Sequence, residues 1–275
     1  MKTNFIFFGL LMMCCVGCTE RIDLDLNTLE NKRLIVDGWI TTDTMAHEIS
    51  LQYTQDFFDI EEAERVSGAQ VSLFDGTQII VFTETEPGIY TSPPSAYGVI
   101  GRWYELRIEL NNEVFESTTR LDSVMAIDSL AYSRKDDFGR DLDTGDFGLP
   151  LYRLLFSGKE LSGTGDHYAM RVFKNGILDT DTLFEYVLFN DEFVDGFEYN
   201  LISFDFIEAE INDTIEVELL SISKEAFEAY QAMFSEVFRG GIFDAPPANV
   251  PSNLSNGALG VFNASAVSRR QIVIQ

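Results

Sequence analysis

The sequence predicts an all-β protein built as two antiparallel β-sandwich-like domains, the second carrying one inserted amphipathic helix. Three observations predict this. Apolar and polar residues alternate with period two through most of the chain, turn residues recur roughly every 8–12 positions, and a single stretch has helical spacing.

The first residues read as an address rather than as part of the fold. Lys2 precedes an apolar run from Phe5 to Val16, about twelve residues long and too short for the roughly 20 that a spanning helix needs. The run ends in Cys15-Val16-Gly17-Cys18, which resembles a bacterial lipobox with Cys15 where Leu is usual. Residues 1–17 are therefore expected to be a signal peptide. Cys18 is the expected lipidation site, fastening the chain to a lipid bilayer through an acyl anchor. All three cysteines lie at 14, 15 and 18, so the mature chain has no disulfide framework to build. Residues 18–32 read as a lipidated tether.

Residues 33–121 carry the pattern of an immunoglobulin- or transthyretin-like sandwich of seven short strands. Residues 33–40 open it. Ile49, Leu51 and Tyr53 alternate with Glu48, Ser50 and Gln52, and Tyr104, Leu106, Ile108 and Leu110 alternate with Trp103, Glu105, Arg107 and Glu109. Between them, 69–74, 78–83 and 88–92 are separated by Asp75-Gly76 and Pro87-Gly88, residues that favour tight turns.

Residues 122–275 read as a second β-rich domain, with strands near 127–133, 149–157, 167–174, 199–211, 213–222, 258–267 and 270–275. Ile215, Val217 and Leu219 alternate there with Glu216 and Glu218. A helix is expected over 223–239. Ser223 is its N-cap and Glu225 sits in the first turn, while Phe227, Tyr230 and Phe234 form its apolar stripe. The ordinary place for that stripe is the sheet of its own domain. An extended segment with Pro246, Pro247 and Pro251 follows. Such stiff segments lose little entropy on docking, so these prolines are candidates for a partner surface.

Charge bounds the partners. The chain has 19 basic and 45 acidic residues, a net charge of −26, and removal of Lys2 with the signal takes it to −27. Such a field excludes nucleic acid and anionic headgroups as partners. Catalytic signals are sparse. His47 and His167 lack second ligands at metal spacing, and no nucleophile elbow or phosphate-cradling loop is present, so no cofactor and no catalytic residue are expected. A carboxylate pair for glycoside hydrolysis has no sequence signature, and a hydrolase stays as a lesser alternative. Asp141, Asp143 and Asp146 place oxygens at alternate positions as calcium loops do, although a solvated turn is the plainer reading. Asp followed by Ser or Thr and an apolar residue recurs at Thr44, Ser123, Ser129, Thr182 and Thr214, where composition would give about one match. It resembles an O-glycosylation acceptor, and strand initiation after a turn explains it equally well.

Several segments together resemble the Bacteroidota lipoproteins of domain of unknown function 4249. They are Leu34-Ile35-Val36-Asp37-Gly38-Trp39-Ile40, Val66-Ser67-Gly68-Ala69-Gln70-Val71, Glu86-Pro87-Gly88-Ile89-Tyr90 and Ile127-Asp128-Ser129-Leu130. The most specific are Ser221 to Phe227 and Pro246 to Leu254 with Gly257-Ala258-Leu259-Gly260. The resemblance implies no catalytic residues. It implies an outer-membrane, lipid-anchored accessory protein that partners a TonB-dependent outer-membrane receptor. A glycan- or peptide-binding surface module using Trp39, Trp103 or Tyr97 is the alternative.

Overall fold

A computed structural model describes residues 32–55, 62–136, 138–145, 148–163, 165–179, 186–237 and 249–275. Its first unit contains β1 (Leu34–Thr41), β2 (Glu48–Tyr53), β3 (Gln70–Phe74), β4 (Ile79–Glu86), β5 (Ile89–Thr91), β6 (Trp103–Leu110) and β7 (Glu113–Arg120). Alternation sets which face each strand buries. In β6, Tyr104, Leu106, Ile108 and Leu110 are buried, and Trp103, Glu105, Arg107 and Glu109, which alternate with them, are exposed. The turns are set by chemistry. Asp75 accepts hydrogen bonds from the Thr77 and Gln78 amides, each at 2.8 Å, closing the β3–β4 hairpin around Gly76. Asn111 and Asn112 both take positive φ between β6 and β7, as a two-residue hairpin that matches strand twist requires.

The second unit contains β8 (Ser129–Ser133), β9 (Leu151–Lys159), β10 (His167–Lys174), β11 (Ile177–Leu178), β12 (Val187–Asn190), β13 (Glu198–Glu208) and β14 (Thr214–Ser221). Helix α1 (Lys224–Val237), β15 (Leu259–Ser265) and β16 (Val267–Val273) complete the chain. One sheet has the order β13-β9-β8, and the other β11-β10-β14-β16 with β12 also on β10. Leu154 and Phe156 from the first sheet share a buried core with Met170, Val172, Val217 and Leu219 from the second. The all-β class and the sandwich-like packing of this half are as the alternation predicts.

The division after Leu121 needs correction. The eight-stranded sheet of the first unit runs β15-β1-β2-β5-β4-β3-β6-β7. Its edge strand β15 pairs parallel to β1, from Ile35 beside Leu259 to Thr41 beside Ser265. Phe262 and Ala264 are accordingly part of the first core. Bridges from Ser117 to Leu254 and from Asp122 to Ser265 bring the two ends of this sheet together. The chain then needs only Ala266, 1% exposed, to pass from β15 into β16 of the second unit. The last two expected strands therefore serve different units. Parallel pairing has no hairpin signal to betray it.

Helix α1 also differs from expectation in what it packs against. Ser223 caps it, its hydroxyl accepting from the Ala226 amide at 3.1 Å, as expected. Ala226, Phe227, Ala229 and Tyr230 pack on Ala169 and Leu220 of the second sheet, and also on Val261 of β15, with Trp39 of β1 alongside. The helix is a wedge between the units.

The seam gives a direct test. Gly260 has a φ of +93°, and a Cβ there would overlap the Val36 carbonyl where β15 meets β1. Gly260→Ala is expected to cost at least about 2 kcal/mol, from strain and steric overlap together. Thermal denaturation should show the midpoint lowered by about 5–10 °C.

Candidate functional site

The two units and α1 enclose a groove. The outer face of β1 supplies Asp37 and Trp39 to its floor, and β10, β14 and β16 supply the opposite wall. Its larger part has a volume of about 620 Å³ and its lining includes Asp37, Trp39, His47, Glu48, Arg171 and Arg269. A smaller continuation of about 310 Å³ shares Asp37 and Trp39 and reaches Tyr186, Tyr230 and Met233. Recesses between units are common ligand positions.

One row of charges organises the wall. Arg171, Glu218 and Arg269 are direct cross-strand neighbours on β10, β14 and β16. The Glu218 side chain is only 2% exposed. Arg171 Nε donates to its Oε2 at 2.7 Å, and Arg269 donates to Oε1. Both arginines continue into the first unit. Arg269 Nη1 donates to Asp43 Oδ1 at 2.9 Å. The Arg171 guanidinium lies 5.6 Å from the centre of the Trp39 ring, near enough for cation–π attraction. Trp39 in turn lies parallel to Tyr230 at 6.3 Å, and the Tyr230 hydroxyl accepts from Asn263 Nδ2 at 3.1 Å.

Titration follows from these contacts. The Arg269 hydrogen bond holds the Asp43 carboxyl below its ordinary value. Asp37 is different. Solvent reaches its side chain, yet protein surrounds it on the groove floor, and desolvation raises its carboxyl despite a hydrogen bond with Trp39 and the field of Arg171. His47 is 4% exposed; burial lowers its imidazole, and Nε2 donates to the Asp43 carbonyl at 3.2 Å. His167 Nδ1 donates to the Gly165 carbonyl at 2.8 Å, its ring 4.9 Å from Phe227.

A second cluster lies in the second unit. Glu160, Asp191 and Asp195 bring carboxylate oxygens within 4.8 Å of one another, the first two buried. Tyr168 donates to Glu160 at 3.0 Å, the Gly165 amide donates to Asp191 at 2.9 Å, and the Gly163 amide donates to Asp195 at 2.8 Å. Beside them, burial first and then the charges of Glu160 and Asp191 push the Asp166 carboxyl up to about 6. These oxygens are of the kind a hard divalent cation takes, and a shared proton relieves the same repulsion.

The residues singled out by the sequence are mostly elsewhere. Cys18, Asp146, Thr182, Pro246 and Pro247 lie outside the described residues. Asp141 and Asp143 are exposed and do not belong to the three-carboxylate group. Acids that do gather lie up to 35 residues apart in sequence (Glu160 to Asp195), so no spacing motif could have found them. Ser129 and Thr214 begin strands β8 and β14, half-buried, whereas Thr44, Ser123 and Pro251 are exposed in connections. Tyr97 and Trp103 are 54% and 58% exposed, while Trp39 packs at the seam. Of the aromatic candidates, only Trp39 lines the groove.

The chain matches the model of the family described as Domain of unknown function (DUF4249) over residues 19–271, and it belongs to that family. No curated protein matches it.

The charge row makes a pH prediction. A carboxyl lowered in the folded state stabilises it above the ordinary Asp value of 3.8, and that contribution is lost as pH falls through the lowered value. Asp43→Asn is expected to lower the melting midpoint by about 2–4 °C at pH 7, the size of a partly exposed ion pair. The difference from the unsubstituted protein should be smaller at about pH 3, below the ordinary Asp value, where that contribution has begun to fade. Scanning calorimetry at the two pH values checks it, and a constant difference would contradict the assignment to Arg269.

Proposed function

We propose that this DUF4249 chain is an exported lipoprotein of a Bacteroidota cell envelope. On this reading it is anchored in the outer membrane by lipid on Cys18 and works by binding, as the accessory partner of a TonB-dependent transporter. The groove between the units is the observation that carries the binding role. It is walled by both units and by α1, and it presents aromatic and charged groups whose positions are fixed in advance. Arg171 and Arg269 are held by Glu218 and Asp43. His47, also on the lining, is engaged by the Asp43 carbonyl. Groups tied down in this way suit recognition by a preorganised surface.

The anchor is supported by the Cys15-Val16-Gly17-Cys18 sequence, and the transporter is the partner that the family resemblance implies. A glycan- or peptide-binding module remains the second reading. The exposure of Tyr97 and of Trp103 on β6, with Ile79 and Val81 exposed on β4 across β3 from it, favours that alternative.

Two measurements test the proposal. Cys18→Ala is expected to abolish incorporation of a fatty-acid analogue and to release the protein from outer-membrane fractions; continued labelling and sedimentation would refute the anchor. The tagged chain, extracted in mild detergent from its native host, is expected to co-purify with a TonB-dependent receptor at near-stoichiometric amount. Purification without one from otherwise intact membranes would refute the partnership.

A further inference from the structure

We infer that the inter-unit groove binds a cationic group, an ammonium or guanidinium carried by a small amine or by a basic peptide side chain, and that Asp37 is its counter-charge. This rests on the reading of the protein as a binding protein and gives that groove a ligand chemistry.

The charge balance of the lining points the same way throughout. The larger part of the groove contains five carboxylates, from Asp37, Asp43, Glu48, Glu216 and Glu218, against two guanidinium groups, from Arg171 and Arg269. The surplus is negative, and it lies in a recess whose protein walls concentrate the field. The two arginines do not cancel it evenly. Arg171 is committed to Glu218, and Arg269 to Glu218 and Asp43. Asp37 is left with a hydrogen bond from Trp39 and the field of Arg171. It has no ion pair among the described residues, although it lies on the floor where both parts of the groove meet.

The apolar lining fits the same ligand. Trp39 follows Asp37 by two residues on β1, so both side chains project from the same face of the strand. Trp39 and Phe173 line the larger part, and Tyr186 and Tyr230 line its continuation. Aromatic groups around a carboxylate offer an organic cation both cation–π attraction and a counter-charge. An anion would meet repulsion in the same place. A neutral ligand would leave the carboxylate desolvated without a countercharge, which costs free energy.

Fluorescence of single-tryptophan proteins tests this, because the chain has two tryptophans and only Trp39 lines the groove. The Trp103→Phe protein is titrated at low salt with spermidine, tri-lysine and maltotriose, and Trp39→Phe serves as the reporter of the remote tryptophan. The expected result is a saturable change at Trp39 with one or both cations, none with maltotriose, and none at Trp103. Spermidine alone would identify a small-amine site, and tri-lysine alone would identify a peptide site. Asp37→Asn should weaken binding at least tenfold, whereas Glu113→Gln, on the exposed β6–β7 hairpin, should leave it unchanged. Should Asp37→Asn fail to melt cooperatively, Glu48→Gln at the groove rim takes its place, with about threefold weakening expected.

Equal loss on Glu113→Gln would mean diffuse attraction to an acidic surface and would overturn the inference. So would saturation by maltotriose alone, or no saturable response. Failure of the transporter partnership would show as loss of receptor co-purification with amine binding intact, and so is distinguishable from failure here.

Discussion

The arrangement of the molecule depends on one buried carboxylate. Glu218 sits in the centre of the second sheet with an arginine on each neighbouring strand, and burying it without them would cost several kcal/mol. Each arginine satisfies Glu218 and then spends its remaining capacity across the seam, Arg269 on Asp43 and Arg171 on the Trp39 ring. The charge that the second unit must neutralise for its own sake therefore orients the first. A row of this kind adds little net stability over an apolar equivalent, but it tolerates few alternative registers between the units. That specificity leaves a groove of fixed shape beside it.

The backbone reinforces the same junction. With β15 in one sheet, β16 in the other and Ala266 alone between them, neither unit can be completed without the other. Helix α1 fills the remaining angle, burying Phe227 and Tyr230. Three independent elements thus meet around Trp39: a strand pairing, a charge row and a helix. The groove is the space they do not fill.

What was legible in the sequence was local. The alternation in β6, the Asp75-Gly76 turn and the Ser223 cap each carry their physical cause within a few residues, and each is found where the sequence places it. What was not legible depends on distant partners. Glu216 and Glu218 look alike in the pattern of β14, as outward-facing acids on one solvated face. In the fold Glu218 is buried, because that face is covered by the first unit, and its countercharges lie 47 and 51 residues away. Trp39 read as a candidate of a binding surface, and it lines the groove while packing beside Tyr230 at the seam. The calcium-like spacing of Asp141 and Asp143 is contiguous, whereas the carboxylates that do converge come from two connections, Glu160 after β9 and Asp191 and Asp195 after β12.

The parallel pairing of β1 with β15 also has a mechanical consequence. Both strands run the same way, so tension applied at the start of β1 and at the end of β15 acts along their axes from opposite ends. All the hydrogen bonds between Ile35 and Thr41 and their partners are then loaded in shear together, instead of being peeled apart one at a time. A pull between the N-terminal side of the chain and its last strand would meet the seam in its stiffest direction.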